Sequence, residues 1–328
     1  MGRVGEYLIK HLLKSGKYNV KFFPFDNDFM EKRWTSQVRE LIINQPTPEN
    51  VEQMVSFCSV LDAEQPRRAR KMSPWLFYEL GNLPENFVRK INTNDQIYVC
   101  SRFVRDAFLS SGVKVPVVVV GHGYDPNFYH FRPRFLTEKF RFLCVAEHTP
   151  RKNLNTLIRC FEKAFSGRED VELSLKVGLH GAGDLRENPY FSPQIKIIDK
   201  LFANENHLAD LYYHAHCFVL PSRAEGFGMP YLEAMASGLP VIATSYSGHL
   251  DFCNESNSYL IEVQKLCDVD TKFFPHIAGL WAEPDEQHLI YLMRRVVDNY
   301  EEALRKAMKA YQTIYLEWTW DSQLKRGF

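Results

Sequence analysis

The chain has 328 residues, of which 45% are hydrophobic, and this length allows two α/β domains that each bury a core. Its 40 Lys and Arg balance its 40 Asp and Glu, so the formal net charge is zero. This balance excludes the strong positive field that nucleic-acid binding normally needs, and we expect no nucleic-acid partner. Any recognition of phosphate must therefore come from local groups.

The seven cysteines are scattered, odd in number and without CxxC spacing. This pattern favours buried thiols in a reducing compartment over a disulfide framework or a zinc site. No stretch reaches the ~20 apolar residues of a membrane span, and the N-terminus lacks the apolar core of a signal peptide. We therefore predict a cytoplasmic protein, and a peripheral contact with the cytoplasmic face of a membrane stays open.

The first part of the chain combines short predicted elements with a weakly patterned stretch at residues 28–90. Apolar residues at helical spacing predict a helix from residue 3, and a strand follows at 19–23. Further elements are predicted as a strand, a helix and a strand at 96–100, 102–110 and 117–120. Ser101 is the predicted N-cap of that helix. A parallel α/β domain normally opens with a strand, and here the first strand is apparently missing.

The second part alternates regularly between strand and helix. The predicted strands lie at 140–145, 173–179, 195–198, 218–220 and 240–243, and the predicted helices at 153–165, 208–214, 230–237, 286–300 and 301–315. Such alternation produces a parallel sheet. The proline-bearing stretch at 126–133 is the predicted linker. We predict a first domain over 1–125, a second domain over 126–300, and a C-terminal helix and tail over 301–328.

The most informative segment, residues 218–243, is predicted to form strand, loop, helix and strand. Its loop carries Gly226 and Gly228, which let the backbone approach a ligand closely, and Pro230 suits the first helical position. Amides at a helix start bind anions, and ligands of open α/β sheets bind beyond the carboxyl ends of the strands. The segment therefore predicts a phosphate site.

Two carboxylates accompany this loop, Glu225 within it and Glu233 about one turn into the helix. A carboxylate accepts hydrogen bonds from two hydroxyls, so the pair suits an elongated ligand with hydroxyls at both ends and a diphosphate between them. A nucleotide sugar is such a ligand. The alternative is that Glu233 only favours the helix dipole and Glu225 is a solvated loop charge. The two glycines and the strand-loop-helix context favour the ligand.

Residues 225–233, followed by Ala-Met-Ala-Ser-Gly-Leu-Pro-Val, resemble the Glu-x7-Glu signature of the retaining group 1 glycosyltransferases, family four. Further segments are similar to that family and fall in its order, at residues 94–103, 121–125, 150–154, 208–212 and 281–285. The resemblance implies the GT-B fold, with two facing Rossmann-like domains, parallel sheets and an interdomain cleft. It implies transfer of a sugar, with retention, from a nucleoside-diphosphate sugar to a glycan, lipid-linked or small-molecule acceptor, as in polysaccharide biosynthesis.

The resemblance also assigns roles to residues. Glu225 binds hydroxyls of the donor sugar, Glu233 holds the ribose, and Glu225 and Lys152 are the predicted catalytic residues. The predicted donor-binding residues are Arg151, Lys152, Glu225, Gly226, Phe227, Gly228, Met229 and Glu233. We expect neither a cofactor nor a metal, because protein cations and amides stabilise the leaving diphosphate. In the C-terminal tail, Trp318 and Trp320 are expected to be structural anchors.

Lys152 has a physical case of its own, since it follows a predicted strand at the carboxyl end of the sheet. An ammonium there neutralises a leaving diphosphate, and the simpler alternative is a solvated lysine. The family often carries an arginine five residues earlier, where this chain has Glu147. We predict that Arg151 supplies the missing charge.

Two residues are candidates for the cleft or the acceptor side. His122 either bonds a ligand across the cleft or caps the end of a strand. Glu79 and Trp75 belong to the acceptor side by their position in the family pattern, and Trp75 alternatively packs in a core. Because the first domain is short, the alternative function is a nucleotide-sugar-binding protein or partner subunit without catalytic activity.

Overall fold

The computed structural model describes residues 2–17, 51–59, 63, 69–178, 182–200, 202, 204–269 and 279–328. Two parallel sheets organise these residues. The strand predicted at 19–23 lies outside the described residues. The α/β class and the parallel arrangement that the sequence predicts are confirmed.

The first sheet has four parallel strands in the order β2-β4-β5-β6, and β1 pairs with β3 separately. The elements of this part are α1 (Gly2–Ser15), β1 (Gln53–Met54), β2 (Phe57–Ser59), β3 (Lys71–Met72), β4 (Trp75–Phe77), α2 (Glu85–Ile91), β5 (Ile97–Val99), α3 (Arg102–Ser110) and β6 (Val117–Val119). Ser101 caps α3 as predicted, because its side chain accepts a hydrogen bond from the amide of Val104.

The second sheet has six parallel strands in the order β12-β11-β10-β7-β8-β9. Its strands and helices are β7 (Phe140–Val145), α4 (Leu154–Phe165), β8 (Val171–Lys176), α5 (Ala182–Arg186), β9 (Ile195–Ile198), α6 (Glu205–His214), β10 (Cys217–Leu220), α7 (Met229–Ala236), β11 (Val241–Thr244), a 3₁₀ helix (Gly248–Asp251) and β12 (Tyr259–Ile261). Every residue of β10 and β11 is buried. Continuous burial is expected for strands covered on both faces.

An antiparallel pair and three helices complete the described fold. They are β13 (Val263–Asp268), β14 (Leu280–Pro284), α8 (Glu286–Asp298), α9 (Tyr300–Ile314) and α10 (Trp320–Leu324). The indole of Trp320 stacks on Tyr7 of α1 with ring centroids 4.8 Å apart. Trp318 packs instead against Phe227, at 5.8 Å. Both indoles are buried, as expected for structural anchors.

Cys100, Cys144, Cys160, Cys217 and Cys253 are buried free thiols, and Cys267 is a partly buried one. This agrees with the predicted buried thiols. Within the described residues, no helix combines the length and apolar character needed to cross a bilayer.

Candidate functional site

The loop at residues 225–228 joins β10 to α7 at the carboxyl end of the second sheet. Gly228 precedes the helix with a φ of 92°, in the left-handed region that favours glycine. Among the described residues, none accepts a hydrogen bond from the amides of Gly226, Phe227 or Gly228. These amides and the positive end of α7 lie where the sequence predicts a phosphate site, and binding of an anion there stays a prediction.

Glu225 lies at the centre of a buried cluster of charges. Lys152 Nζ is 2.5 Å from its Oε1, and Arg151 Nη1 is 3.1 Å from its Oε2. The side chain of Glu225 is only 6% exposed. The structure therefore brings together three residues that the sequence assigned to one site, and the alternative of a solvated Glu225 is wrong.

The cations determine the ionisation of this carboxylate. Burial alone would raise the pKa of Glu225, but the charges of Lys152 and Arg151 outweigh burial and lower the pKa to about 2. For Arg151, burial acts to lower the pKa, and the carboxylates of Glu225 and Glu79 reverse this effect and raise it. Both Glu225 and Arg151 are therefore charged at neutral pH, and the site holds a fixed carboxylate beside two cations.

Adjacent strands explain why these residues meet. β7 and β10 pair in parallel, so the loops that follow them leave the same edge of the sheet. Asn153 begins α4 with a φ of 59°, which turns the chain directly after Lys152. The two loops are then tied together, because the amide of Arg223 donates to the carbonyl of Arg151 at 2.8 Å and Arg151 Nη1 donates to the carbonyl of Ala224 at 2.7 Å.

Residues that follow strands of the first sheet contact the same loop. Glu79 Oε1 lies 3.4 Å from Arg151 Nη2. A Cβ at Gly226 would lie 2.5 Å from the carbonyl oxygen of Tyr78, so only glycine fits this contact. Ser101 Oγ donates to the carbonyl of Gly226 at 2.6 Å. The candidate site therefore lies where the two sheets meet.

The contact made by Ser101 is one that sequence reasoning missed. The sequence assigned this residue only the role of a helix cap, which the structure confirms. Its hydroxyl has one proton and two lone pairs, so it caps α3 and also bonds Gly226. These residues are 125 positions apart, and no local pattern signals their contact.

The turn after β11 supports the loop from the other side and was also missed. Ser247 accepts the amide hydrogen of Glu225 at 2.8 Å, with its own φ at 84°. A non-glycine residue in this region carries about 1–3 kcal/mol of backbone strain. Asp251 in the following 3₁₀ helix binds Arg102, with Oδ1 3.0 Å from Nε and Oδ2 2.9 Å from the backbone nitrogen. This turn therefore contacts both the loop and the start of α3.

His249 fills the space between this turn and α7. Its ring stacks on Tyr231 at 4.4 Å, and Nε2 donates to the carbonyl of Thr244 at 2.7 Å. Burial lowers the pKa of His249 to about 4. The ring is therefore neutral at physiological pH and helps to hold α7 in place.

Glu233 does not join the cluster around Glu225. It is buried and accepts a hydrogen bond from the Tyr212 hydroxyl at 2.8 Å. It lines a small polar cavity together with Tyr7, Gly123, Tyr124, Asp125, Phe128, Tyr129, Glu205, Met229 and Trp320. Of the predicted donor-binding set, this cavity includes only Met229 and Glu233. Contact of Glu233 with a ribose stays a prediction.

His122 and Trp75 belong to one aromatic cluster, which contacts the loop at Phe227. Trp75 in β4 is fully buried, so the prediction that it packs in a core is confirmed. The ring of His122 is 6.1 Å from Trp75 and 4.9 Å from Phe227, measured between centroids. His122 therefore touches the loop through an aromatic contact, and a ligand role for it stays a prediction.

Glu147 marks the departure from the family pattern. Its carboxylate lies against Gly178, where a Cβ would be 2.1 Å from Oε2. Arg151, next to Lys152 in the sequence, contacts Glu225, and its role as the replacement for the family's arginine stays a prediction. Among the described residues, no group of three or more His, Cys, Asp or Glu side chains is arranged to hold a metal.

Similar proteins are found among known families, curated relatives and solved structures. Residues 139–271 match the family described as Glycosyl transferases group 1. Sucrose-phosphate synthase of Zea mays is 30% identical over 147 residues, which make up 39% of this chain and 14% of that protein. The amylovoran biosynthesis glycosyltransferase AmsK of Erwinia amylovora is 27% identical over 179 residues, 50% of this chain and 42% of that protein. The chain thus spans less than half the length of either relative.

Among solved structures, Anabaena HepE in complex with UDP and glucose is similar with a TM-score of 0.61 and 15% identity. The similarity covers 78% of this chain and 70% of that chain. At this identity the similarity concerns the fold, and it confirms the predicted GT-B architecture.

Proposed function

We propose that the chain transfers a sugar from a nucleoside-diphosphate sugar to an acceptor. Residues 139–271, which match the group 1 glycosyltransferases, support this proposal. The observation that carries this proposal is the buried Glu225 held between Lys152 and Arg151, beside the amides that begin α7. Those cations and amides suit a diphosphate, and a fixed carboxylate beside them suits sugar hydroxyls.

In the proposed reaction the bond between the anomeric carbon and the β-phosphate oxygen breaks. The acceptor hydroxyl attacks the same face, and its proton passes to the leaving phosphate oxygen, so the configuration is retained. Lys152, Arg151 and the amides of the 225–228 loop stabilise the charge that builds up on the diphosphate. Glu225 already accepts from both cations, and a carboxylate has about four lone-pair sites, so it still has capacity for sugar hydroxyls.

Further details belong to the proposal. Protein cations carry out the charge stabilisation, so we expect activity without a divalent metal. The Glu-x7-Glu motif at residues 225–233 is the reason that we assign the chain to family four. The complex of HepE with UDP and glucose makes a UDP-hexose the first donor to test. The name of AmsK points to a growing glycan as the first acceptor class, used in the cytoplasm or at the cytoplasmic face of a membrane.

Binding of the donor is the first test. Calorimetric titration with UDP, GDP, ADP and their hexose conjugates is expected to identify one nucleotide series. Lys152→Met is expected to weaken that binding about 10- to 100-fold, because it removes a charge-assisted hydrogen bond. Lys139→Met removes an exposed lysine in the same domain and is the matched control. Absence of binding to every nucleotide would refute the proposal.

Product analysis is the second test. Incubation with the bound donor and glycan acceptors in excess EDTA is expected to give a product whose new linkage keeps the anomeric configuration of the donor, as read by proton NMR. A product of inverted configuration, or activity that requires a metal, would contradict the corresponding part of the proposal. Donor binding without transfer or hydrolysis would instead favour the inactive binding protein or partner subunit.

A further inference from the structure

The cations at the proposed diphosphate site are already matched by carboxylates of the chain itself. Lys152 and Arg151 contribute two positive charges, and Glu225 and Glu79 contribute two negative charges within 2.5 to 3.4 Å of them. The four side chains therefore sum to zero. A donor diphosphate adds negative charge to this cluster and competes with the carboxylates for the two cations.

The structure distinguishes the two carboxylates. Glu225 is 6% exposed and contacts both cations. The side chain of Glu79 is 43% exposed and, of these two cations, contacts Arg151 alone, at 3.4 Å. Water screens the attraction between the exposed carboxylate of Glu79 and Arg151, so this ion pair is weak. Glu79 is therefore the carboxylate that an incoming phosphate displaces more easily.

The position of Glu79 links this exchange to the contact between the sheets. Glu79 lies two residues after β4, and the carbonyl of the neighbouring Tyr78 rests against Gly226. Arg151 and Gly226 both belong to the part of the chain that carries the second sheet. Release of Glu79 therefore removes the ion pair with Arg151, which joins the part that carries the first sheet to the part that carries the second sheet.

We propose that Glu79 is an intramolecular gate, whose carboxylate occupies the position of a donor phosphate on Arg151 and leaves it when the donor binds. This inference rests on the proposed function, since it takes Arg151 and Lys152 as the diphosphate site. It makes Glu79 a positioning residue that acts through Arg151. The displaced carboxylate is repelled by the bound diphosphate and turns into the cleft, on the side where the acceptor is expected.

The test uses inorganic pyrophosphate, which is the part common to all nucleoside-diphosphate donors, titrated calorimetrically into the full chain. Glu79→Gln keeps the shape of the side chain and removes its charge, and it is expected to bind pyrophosphate about five-fold tighter than the wild type. Glu79→Asp keeps the charge and is expected to stay near the wild type. Glu85→Gln removes an exposed charge nearby that does not contact Arg151, and it is expected to leave the affinity unchanged.

The outcomes separate this inference from the proposed function. Pyrophosphate that binds to the wild type, loses affinity in Lys152→Met and binds no tighter in Glu79→Gln would keep the diphosphate site and overturn the gate. Equal tightening in Glu79→Gln and Glu85→Gln would reduce the effect to general charge and also overturn the gate. Pyrophosphate that binds to neither the wild type nor Glu79→Gln would overturn both. A purely structural role for Glu79 would lower the melting temperature of Glu79→Gln without tightening binding.

Discussion

Replacing Glu225 by glutamine tests whether the buried charge cluster stabilises the fold. The substitution keeps the size of the side chain and leaves Lys152 and Arg151 without their closest counter-ion. The pKa of Glu225 is about 2 in the folded protein, and the ordinary value of a glutamate, which we take for the unfolded chain, is 4.5. This difference corresponds to about 3 kcal/mol of stabilisation at neutral pH. Because the carboxylate is almost fully buried, solvent screening reduces this magnitude little.

The pH dependence gives this prediction its sign. The folded-state pKa lies below the unfolded value, so the stabilisation is complete above about pH 4.5 and is lost as the pH falls toward about 2. The wild type and Glu225→Gln are therefore expected to differ by about 3 kcal/mol at pH 7. Between pH 4.5 and the acid limit of folding, that difference is expected to shrink by about 1.4 kcal/mol per pH unit.

Urea unfolding followed by tryptophan fluorescence measures this difference at a series of pH values. Glu169→Gln, at an exposed position of the same domain, is the matched control and is expected to change stability by less than about 0.5 kcal/mol. A Glu225→Gln protein as stable as the wild type at pH 7 would refute the reasoning. A difference that stays constant between pH 7 and pH 3 would show that lost packing, rather than lost charge, causes it.

Three further predictions concern the surroundings of the site. In a double-mutant cycle of unfolding free energies, Arg102→Ala and Asp251→Asn should couple by about 1 kcal/mol, and zero coupling would exclude a stabilising contact. His249→Gln should reduce the loss of stability between pH 6.5 and 4, because the folded pKa of about 4 lies below the unfolded value and protonation favours unfolding there; an unchanged slope would contradict this. Trp320→Ala should cost about 3–5 kcal/mol by removing the indole stacked on Tyr7, and a thermal melt like that of the wild type would contradict this.

The sequence predicted the second sheet well because its elements are long or carry an unambiguous pattern. The helix predicted at 230–237 is Met229–Ala236 in the structure, and the strand predicted at 140–145 is Phe140–Val145. Buried strands without Gly or Pro give continuous apolar runs, and the Gly-rich loop between β10 and α7 marks where the helix begins. The cluster of Glu225 with Lys152 was predictable for the same reason, since both follow strands at one edge of one sheet.

The first sheet was harder to predict because its strands are too short to show a period. β4 has only three residues, Trp75–Phe77, and α2 has seven. Neither spans the window in which alternation or helical spacing becomes visible. The contacts between the sheets were not predictable either. Ser101 lies 125 residues from Gly226, and local sequence does not specify which surfaces of two separate sheets will meet.

One glycine explains why the contact between the sheets and the proposed ligand site coincide. A side chain at Gly226 would strike the carbonyl of Tyr78, so glycine is what allows the end of β4 to approach the loop. That approach places Glu79 within 3.4 Å of Arg151. Two cations buried without counter-ions would be strongly destabilising, and the carboxylates of Glu225 and Glu79 supply those counter-ions. The absence of a side chain at Gly226 therefore serves both the contact between the sheets and the position of Glu79 beside Arg151, where we propose that the donor phosphate binds.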